Sequence, residues 1–173
     1  DKNMLYFSST RKVNWKGYRG MNEKFFDLKK EKQDRMINAS LKVFAMNGYA
    51  HASTDDIVRE AGISKGLLFH YFVSKLGLYS FIYDYSIRYV ILELTTGVDK
   101  EETDYFRLVG QIREAELQVM RNYPCMMLFL NNSRLENVSE VLLETEDKRN
   151  ILSEKYAQIL SQATGEELDE RLS

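Results

Sequence analysis

Two lysines stand where the local helix signals would favour an anion. Ser64 and Ser74 are typical helix N-caps, so Lys65 and Lys75 fall in the first turns of the helices that follow. The positive end of a helix dipole disfavours a cation there by about 0.3–1 kcal/mol. Because neither placement helps folding, we expect both ammonium groups to bind phosphate from outside the chain.

The helices that carry these lysines depend on two earlier ones for their position. Apolar residues recur at i, i+4, i+7 and i+8 over 32–47, which predicts a first helix that ends at Gly48. Thr54 is the expected N-cap of a second helix, which has two aspartates in its first turn and stops at Gly62. A third helix is predicted over 65–72.

The junction between the second and third helices, Ala61-Gly62-Ile63, is typical of a helix-turn-helix. A small residue permits close packing of two helices, and a glycine adopts the positive φ that a tight turn needs. A helical hairpin inside a bundle could use the same turn, so the exposed face of the third helix decides between the two. That face carries Lys65, Gly66, His70 and Tyr71, and Gly66 lets the backbone come close to a ligand. This pattern indicates a surface that faces a DNA groove.

The rest of the chain completes the prediction of an all-α fold. A fourth helix, capped by Ser74, is apolar on nearly every face, so we expect it to be buried on several sides and to contact both halves of the molecule. A fifth helix follows a polar break at 97–103, and a short apolar piece covers 125–130. A last long helix is predicted over 139–163.

Charge is divided unevenly along the chain. Residues 1–75 contain 14 Lys and Arg against 8 Asp and Glu, whereas residues 76–173 contain 10 against 18. A basic front and an acidic rear favour contact of the front alone with phosphate.

Residues 1–20 show no helical period. We expect them to be a basic extension that is non-native or disordered, with Met21 as the natural start. The alternative is a basic arm that reaches phosphates or a minor groove through Arg11, Lys12, Lys16 and Arg19.

A set of residues in the first half of the chain forms one recognisable motif: Phe44, Gly48, Thr54, Asp56-Ile57, Ala61-Gly62-Ile63-Ser64-Lys65-Gly66, Leu68-Phe69-His70-Tyr71-Phe72 and Ser74-Lys75. With this set, residues 32–84 resemble, without a gap, the DNA-binding domain of TetR/AcrR transcription regulators. The resemblance implies a homodimer whose paired recognition helices enter successive major grooves of double-stranded operator DNA. It also implies a repressor that leaves DNA when a small hydrophobic effector moves helix 4.

The resemblance further assigns DNA contacts position by position. Thr54 and Lys75 would each contact a phosphate. The other contacts would lie in the third helix and its cap, at Ser64, Lys65, Gly66, Leu67, Phe69, His70 and Tyr71. Residues 65–67 would face base edges, and residues 69–71 would lie where bases and backbone meet. The family usually has Thr or Ser at position 67 and Tyr at position 69, so contact with thymine methyls is expected to replace hydroxyl contacts here.

Residues 78–173 are interpreted as a helical ligand-binding and dimerisation domain behind a DNA-binding domain at 21–77. The expected pocket residues, which could equally form plain core, are Tyr83, Tyr89, Tyr105, Met120, Met126 and Phe129. Family members usually end with two more helices that build the dimer. Either those helices are absent here or dimerisation uses helices 6 and 7.

The residue types offer little to catalysis or metal binding. Only two His and one Cys occur, without ligand spacing, so we expect no enzyme, no metal and no cofactor. No apolar run is long enough to cross a bilayer, and the single Cys125 favours a reducing cytoplasm, which the resemblance to TetR/AcrR regulators implies is bacterial. The competing interpretation is a helical protein-interaction module that does not bind DNA, which would leave Lys65 and Lys75 without a purpose.

Overall fold

Eight α-helices form the body of the molecule in the computed structural model, which describes residues 4–7, 11–14 and 23–164. Single turns of 3₁₀ helix occur at Glu23–Asp27 and Glu146–Lys148. The helices are α1 (Lys30–His51), α2 (Thr54–Ala61), α3 (Lys65–Tyr71), α4 (Lys75–Gly97), α5 (Tyr105–Asn122), α6 (Met126–Ser133), α7 (Ser139–Thr145) and α8 (Ile151–Leu160). The predicted all-α fold is confirmed for this body.

Two short strands precede the helices. β1 (Met4–Phe7) pairs antiparallel with β2 (Arg11–Asn14), and Met4 lies opposite Asn14. No strand was predicted here, and the expectation of a non-native or disordered extension stays a prediction. β1 contains two aromatic residues and β2 contains one valine, and both types of residue favour extended backbone. Lys16, Arg19 and the expected start at Met21 lie outside the described residues.

Helix α1 supplies one wall of the core and changes direction near its end. The predicted apolar stripe is buried, with Ile37 at 1 % and Phe44 at 2 % exposure. Gly48 has φ +68° and ψ 171°, so the regular helix stops there, as predicted, and one further turn follows to His51. The amide of Ala52 donates to the Gly48 carbonyl at 3.1 Å, which closes that turn.

Helix α4 is the centre of the molecule. Its 23 residues pack against α1 on one side and against α5, α6, α7 and α8 on the others. Phe81, Val90 and Leu94 are fully buried, and one continuous apolar cluster joins the front helices to the rear ones through α4. The expectation that this helix would be buried on several sides is confirmed. Within the described residues, no helix combines the length and apolar character that crossing a bilayer requires.

The predicted long helix over 139–163 is wrong, because the chain breaks it into α7 and α8. Residues 144–150 are polar without interruption, and Thr145 is the one of them that is buried, so the segment has no apolar stripe to hold a continuous helix against the core. The chain turns through the 3₁₀ segment at Glu146–Lys148 instead. Both flanking helices then bury apolar side chains, Val141 from α7 and Leu152 from α8.

Candidate nucleic-acid interface

The turn between α2 and α3 has the geometry of a helix-turn-helix. Gly62 adopts φ 63° and ψ 42°, the left-handed conformation that ends α2. The amide of Ile63 donates to the Val58 carbonyl at 3.0 Å, which satisfies the end of the helix. A side chain other than glycine would be strained at this position. The chain therefore leaves α2 at a fixed angle and enters α3 after three residues.

A serine is the N-cap of each of the three helices α2, α3 and α4. The Ser64 hydroxyl accepts the amide of Leu67 at 3.2 Å, and the Ser74 hydroxyl accepts the amide of Gly77 at 3.0 Å, so both predicted N-caps are confirmed. The predicted cap of α2 was wrong by one residue. Ser53, not Thr54, accepts the amide of Asp55, and Thr54 is the first helical residue, half-buried.

Helix α3 has one buried face and one open face. Leu68 is 1 % exposed and holds the helix to the core. Gly66, Phe69 and His70 are exposed away from Leu68, Lys65 is exposed at the start of the helix, and Leu67 is half-buried beside them. Tyr71 lies beside this surface with its ring turned inward: it is 8 % exposed and packs edge-on against Phe25 at 5.7 Å. Contact of its phenol group with DNA stays a prediction.

Gly66 lies at an open point of α3. A Cβ atom built at this position would meet no atom within 4 Å. Packing inside the protein therefore does not require glycine here, although a larger residue would favour the helix. The open space is available to an external molecule.

Lys65 has a partner in the protein. Its Nζ lies 2.8 Å from Oδ1 of Asp55, which stands in the first turn of α2, and both side chains are more than half exposed. The expectation that Lys65 does nothing for the fold is wrong, but an exposed ion pair of this kind is weak. A phosphate or a base edge can compete for the ammonium group at small cost.

Lys75 makes more contacts inside the protein than Lys65 does. Its Nζ donates to the carbonyl oxygens of Tyr49 at 2.9 Å and Ala52 at 3.3 Å, and it lies 4.4 Å from the centre of the Tyr49 ring. These are the free carbonyls at the end of α1, where a cation is favourable. The premise that Lys75 works against folding is wrong. Two of its three N–H donors are used, which leaves one for a phosphate.

Basic charge near α3 is largely compensated by nearby carboxylates. Besides the Lys65 pair, Lys42 binds Glu60 at 2.7 Å and Arg59 binds Asp56 at 2.8 Å. Residues 1–22 account for most of the basic excess of the front, with five Lys and Arg against one Asp. Overall charge is therefore a weaker sign of phosphate binding than the shape of α3. The exposed Arg35, which the motif did not single out, adds a cation beside the turn at Gly62.

The rear helices hold the end of α1 through two polar contacts. Asn132 of α6 donates from Nδ2 to the Ala45 carbonyl at 2.9 Å. Glu136, in the loop after α6, accepts the amide of Tyr49 at 2.9 Å. Burial, with a hydrogen bond to Glu140, raises the pKa of Tyr49, so its phenol stays protonated at neutral pH. These contacts join the helices that carry α3 to the rear of the molecule.

A cavity of about 320 Å³ lies in the rear, between α4, α5, α6 and α8. Its lining residues are Tyr83, Ile87, Arg113, Glu116, Met120, Met127, Leu130, Asn131, Arg134, Arg149, Leu152 and Tyr156. Only Tyr83 and Met120 of the six predicted pocket residues are among them.

The other four predicted pocket residues lie elsewhere. Tyr89 is buried and accepts a hydrogen bond from Asn122 at 2.8 Å, whereas Tyr105 is 37 % exposed beside Phe106. Met126 and Phe129 are core residues at 0 % and 1 % exposure. The apolar composition of α6 does not reveal its rotation, and the neighbouring Met127 faces the cavity instead.

Sequence comparison relates the front of the chain to known regulators. Residues 36–80 match the model of the family described as bacterial regulatory proteins, tetR family. An uncharacterised HTH-type transcriptional regulator of Bacillus subtilis (strain 168), YuxN, is 38% identical over 93 residues, which cover 51% of this chain and 32% of that protein. A second, TtgW of Pseudomonas putida, is 40% identical over 47 residues, or 27% of this chain and 35% of that protein. The matched parts thus span about a third of these relatives.

Solved structures share the fold over more of the chain. A TetR family transcriptional regulator from Chloroflexus aurantiacus J-10-FL matches with a TM-score of 0.56 and 23% identity, over 74% of this chain and 61% of that one. A second protein, from Shewanella sp. PV-4, matches with a TM-score of 0.55 and 23% identity, over 80% and 71%. These likenesses extend beyond the helix-turn-helix into the rear helices, and they concern the fold alone.

Proposed function

We propose that this chain is a member of the TetR family of bacterial regulatory proteins, binds operator DNA through α3 and regulates transcription. The observation that carries the proposal is the two-sided character of α3. Leu68 fixes the helix to the core, while Lys65, Gly66, Phe69 and His70 form an open face that no other described element covers. A helix placed in this way after a tight turn can enter a major groove.

The proposed contacts divide into phosphate and base contacts. Thr54, at the start of α2, and the third N–H of Lys75 would bind phosphate, and Ser64 would lie beside them. Lys65, Gly66 and Leu67 would face base edges, with Phe69 and His70 at the border between bases and backbone. Tyr71 would lie at the same border, with its ring packed against Phe25.

We further propose that the regulator is a homodimer and a repressor that responds to a small molecule. Two copies would place two α3 helices about one helical turn apart on a palindromic operator. The rear cavity offers a ligand site of about 320 Å³, and the Asn132 and Glu136 contacts supply a physical connection from its wall to α1.

Salt dependence tests the proposal most cheaply. The full chain is titrated against a labelled random-sequence duplex at 50 and 200 mM salt, with fluorescence anisotropy as the readout. A dimer that contacts about six to ten phosphates loses roughly a thousandfold or more in affinity between the two conditions. A chain that does not bind the duplex at 50 mM salt, or binds with no salt dependence, contradicts the proposal and favours a protein-interaction module.

A further inference from the structure

We propose that the rear cavity binds an apolar molecule that carries one carboxylate group. The expectation from the sequence was a hydrophobic effector, but the lining also contains arginine side chains, of which Arg134 is exposed and Arg149 is half-buried, so the cavity is not purely apolar. This inference deepens the proposed function and relies on it only for the effect on DNA. Binding itself can be measured without DNA.

The one carboxylate in the cavity wall is already in use. Glu116 accepts the phenol of Tyr156 at 2.8 Å through Oε1, and Oε2 lies 3.1 Å from Nη1 of Arg113. These contacts pair its charge with Arg113 inside the protein. Glu116 is therefore not available to a ligand cation or to another arginine of the wall.

Two arginines of the same wall remain without a carboxylate. Within the part of the chain that the structure describes, no Asp or Glu oxygen lies within 4.0 Å of the guanidinium of Arg134 or Arg149. Arg149 makes one long contact, from Nη2 to the Ser133 carbonyl at 3.5 Å. Two guanidinium groups beside one cavity without a counter-ion favour an anion there.

The phenol of Tyr83 adds a neutral polar group to this wall. Burial raises the pKa of Tyr83 and the positive charges of Arg149 and Arg134 oppose that shift, so both guanidinium groups act on the phenol. The phenol stays protonated at neutral pH and can donate a hydrogen bond to a bound anion.

The apolar residues of the cavity wall would contact the apolar end of the ligand. Apolar side chains from four helices face the same space: Ile87, Met120, Met127, Leu130 and Leu152. Methionine side chains adapt to the shape of an apolar ligand. A cavity of about 320 Å³ is at the small end of the usual range for ligand sites, so a short apolar body fits it better than a long one.

A carboxylate matches this arrangement better than the alternatives. The planar fork of a guanidinium group binds a carboxylate through two parallel hydrogen bonds. A neutral alcohol of the same length would fill the apolar part and leave both arginines unpaired. A quaternary ammonium compound would be repelled by them.

Three probes of equal length separate these cases: octanoate, 1-octanol and octyltrimethylammonium, titrated calorimetrically into the full chain. Octanoate is expected to bind about tenfold or more tightly than octanol, and the cation is expected not to bind. Arg134→Gln and Arg149→Gln should each lower octanoate affinity about tenfold and leave octanol binding unchanged. Arg121→Gln is the matched control, because Arg121 lies on α5 outside the cavity and pairs with Glu114.

Several results would overturn the inference: no binding of octanoate, equal binding of octanoate and octanol, or a preference for octanoate that survives both substitutions. Two variants are used so that a folding defect in one does not decide the outcome. A chain that binds octanoate but no DNA would contradict the proposed function and support this inference. A chain that binds DNA but not octanoate would do the reverse.

Discussion

The backbone of Tyr49 is held by Glu136 on one side and by Lys75 on the other. Its amide donates to the Glu136 carboxylate at 2.9 Å, and its carbonyl accepts from the Lys75 ammonium group at 2.9 Å. Glu136 belongs to the loop behind the cavity, whereas Lys75 begins α4 directly after α3. One residue at the end of α1 thus connects the rear of the molecule to the helix that follows the DNA-facing one.

Removing Glu136 tests this connection. Glu136→Ala leaves the Tyr49 amide without its acceptor, so we expect faster hydrogen exchange of that amide and a DNA affinity severalfold lower, although Glu136 is remote from α3. Exchange measured by NMR and anisotropy with a DNA duplex check both effects. Glu146→Ala, in the exposed 3₁₀ turn, is the control. Unchanged exchange at Tyr49 would show that the contact does not hold the end of α1.

Lys75 is expected to contribute to both stability and DNA binding. Lys75→Met keeps the aliphatic stem but leaves two carbonyls without a donor and removes the cation above the Tyr49 ring, so the free energy of unfolding should fall by about 1–2 kcal/mol. Urea unfolding measures this change. DNA affinity should fall equally for all sequences, and the salt slope should decrease by about one. Lys42→Met, which removes only an exposed ion pair, should leave the urea midpoint unchanged. Equal stability of the Lys75 variant and the parent would contradict the capping role.

Asp55 is expected to restrain Lys65 and to repel DNA. Asp55→Asn removes the ion pair partner and a negative charge beside α3, so DNA affinity should rise severalfold, whereas Lys65→Ala should lower it about tenfold and weaken the preference among sites. Glu114→Gln is the control, since Glu114 lies on α5 in the rear of the molecule and pairs with Arg121 at 3.1 Å. Anisotropy titrations of all three variants with a DNA duplex measure these changes in affinity. A fall in affinity for Asp55→Asn would show that the carboxylate positions Lys65 for DNA rather than restraining it.

Substitution of Gly66 by alanine is expected to change stability and DNA affinity in opposite directions. A Cβ atom meets nothing in the protein at Gly66 or at Gly110 of α5, so alanine should raise the free energy of unfolding by about 0.5–1 kcal/mol at both positions. Only Gly66→Ala should weaken DNA binding, because its methyl group would occupy the space that the DNA needs. Urea unfolding and anisotropy give the two values for each variant. Equal DNA affinities of the two variants would mean that the backbone at Gly66 does not approach DNA.

The sequence could predict those features that depend on local spacing. The stripe that includes Ile37 and Phe44, the positive φ of Gly62 and the caps at Ser64 and Ser74 all follow from periodicity or from one residue's chemistry. Lys75 was misjudged because only its own helix was considered. The carbonyls that it binds belong to the end of another helix, 23 and 26 residues earlier in the chain.

The cavity was largely beyond prediction for a related reason. Its arginines come from separate parts of the chain, and Arg134 and Arg149 meet only after the break between α7 and α8 brings α8 back against α4. Met126 and Met127 differ in sequence position by one, yet about 100° of helical rotation sends one to the core and the other to the cavity. Composition alone cannot choose between them.

The central claim, that α3 reads DNA, is tested most directly by selecting bound sites from a random duplex library with the parent chain and with the Lys65→Ala/His70→Ala double variant. The account predicts that the parent enriches a two-part motif with half-sites about one helical turn or more apart. The variant should still bind DNA in a salt-dependent way but lose base preference within each half-site. Enrichment of no sequence by the parent, or of the same motif by both proteins, would contradict the assignment of α3.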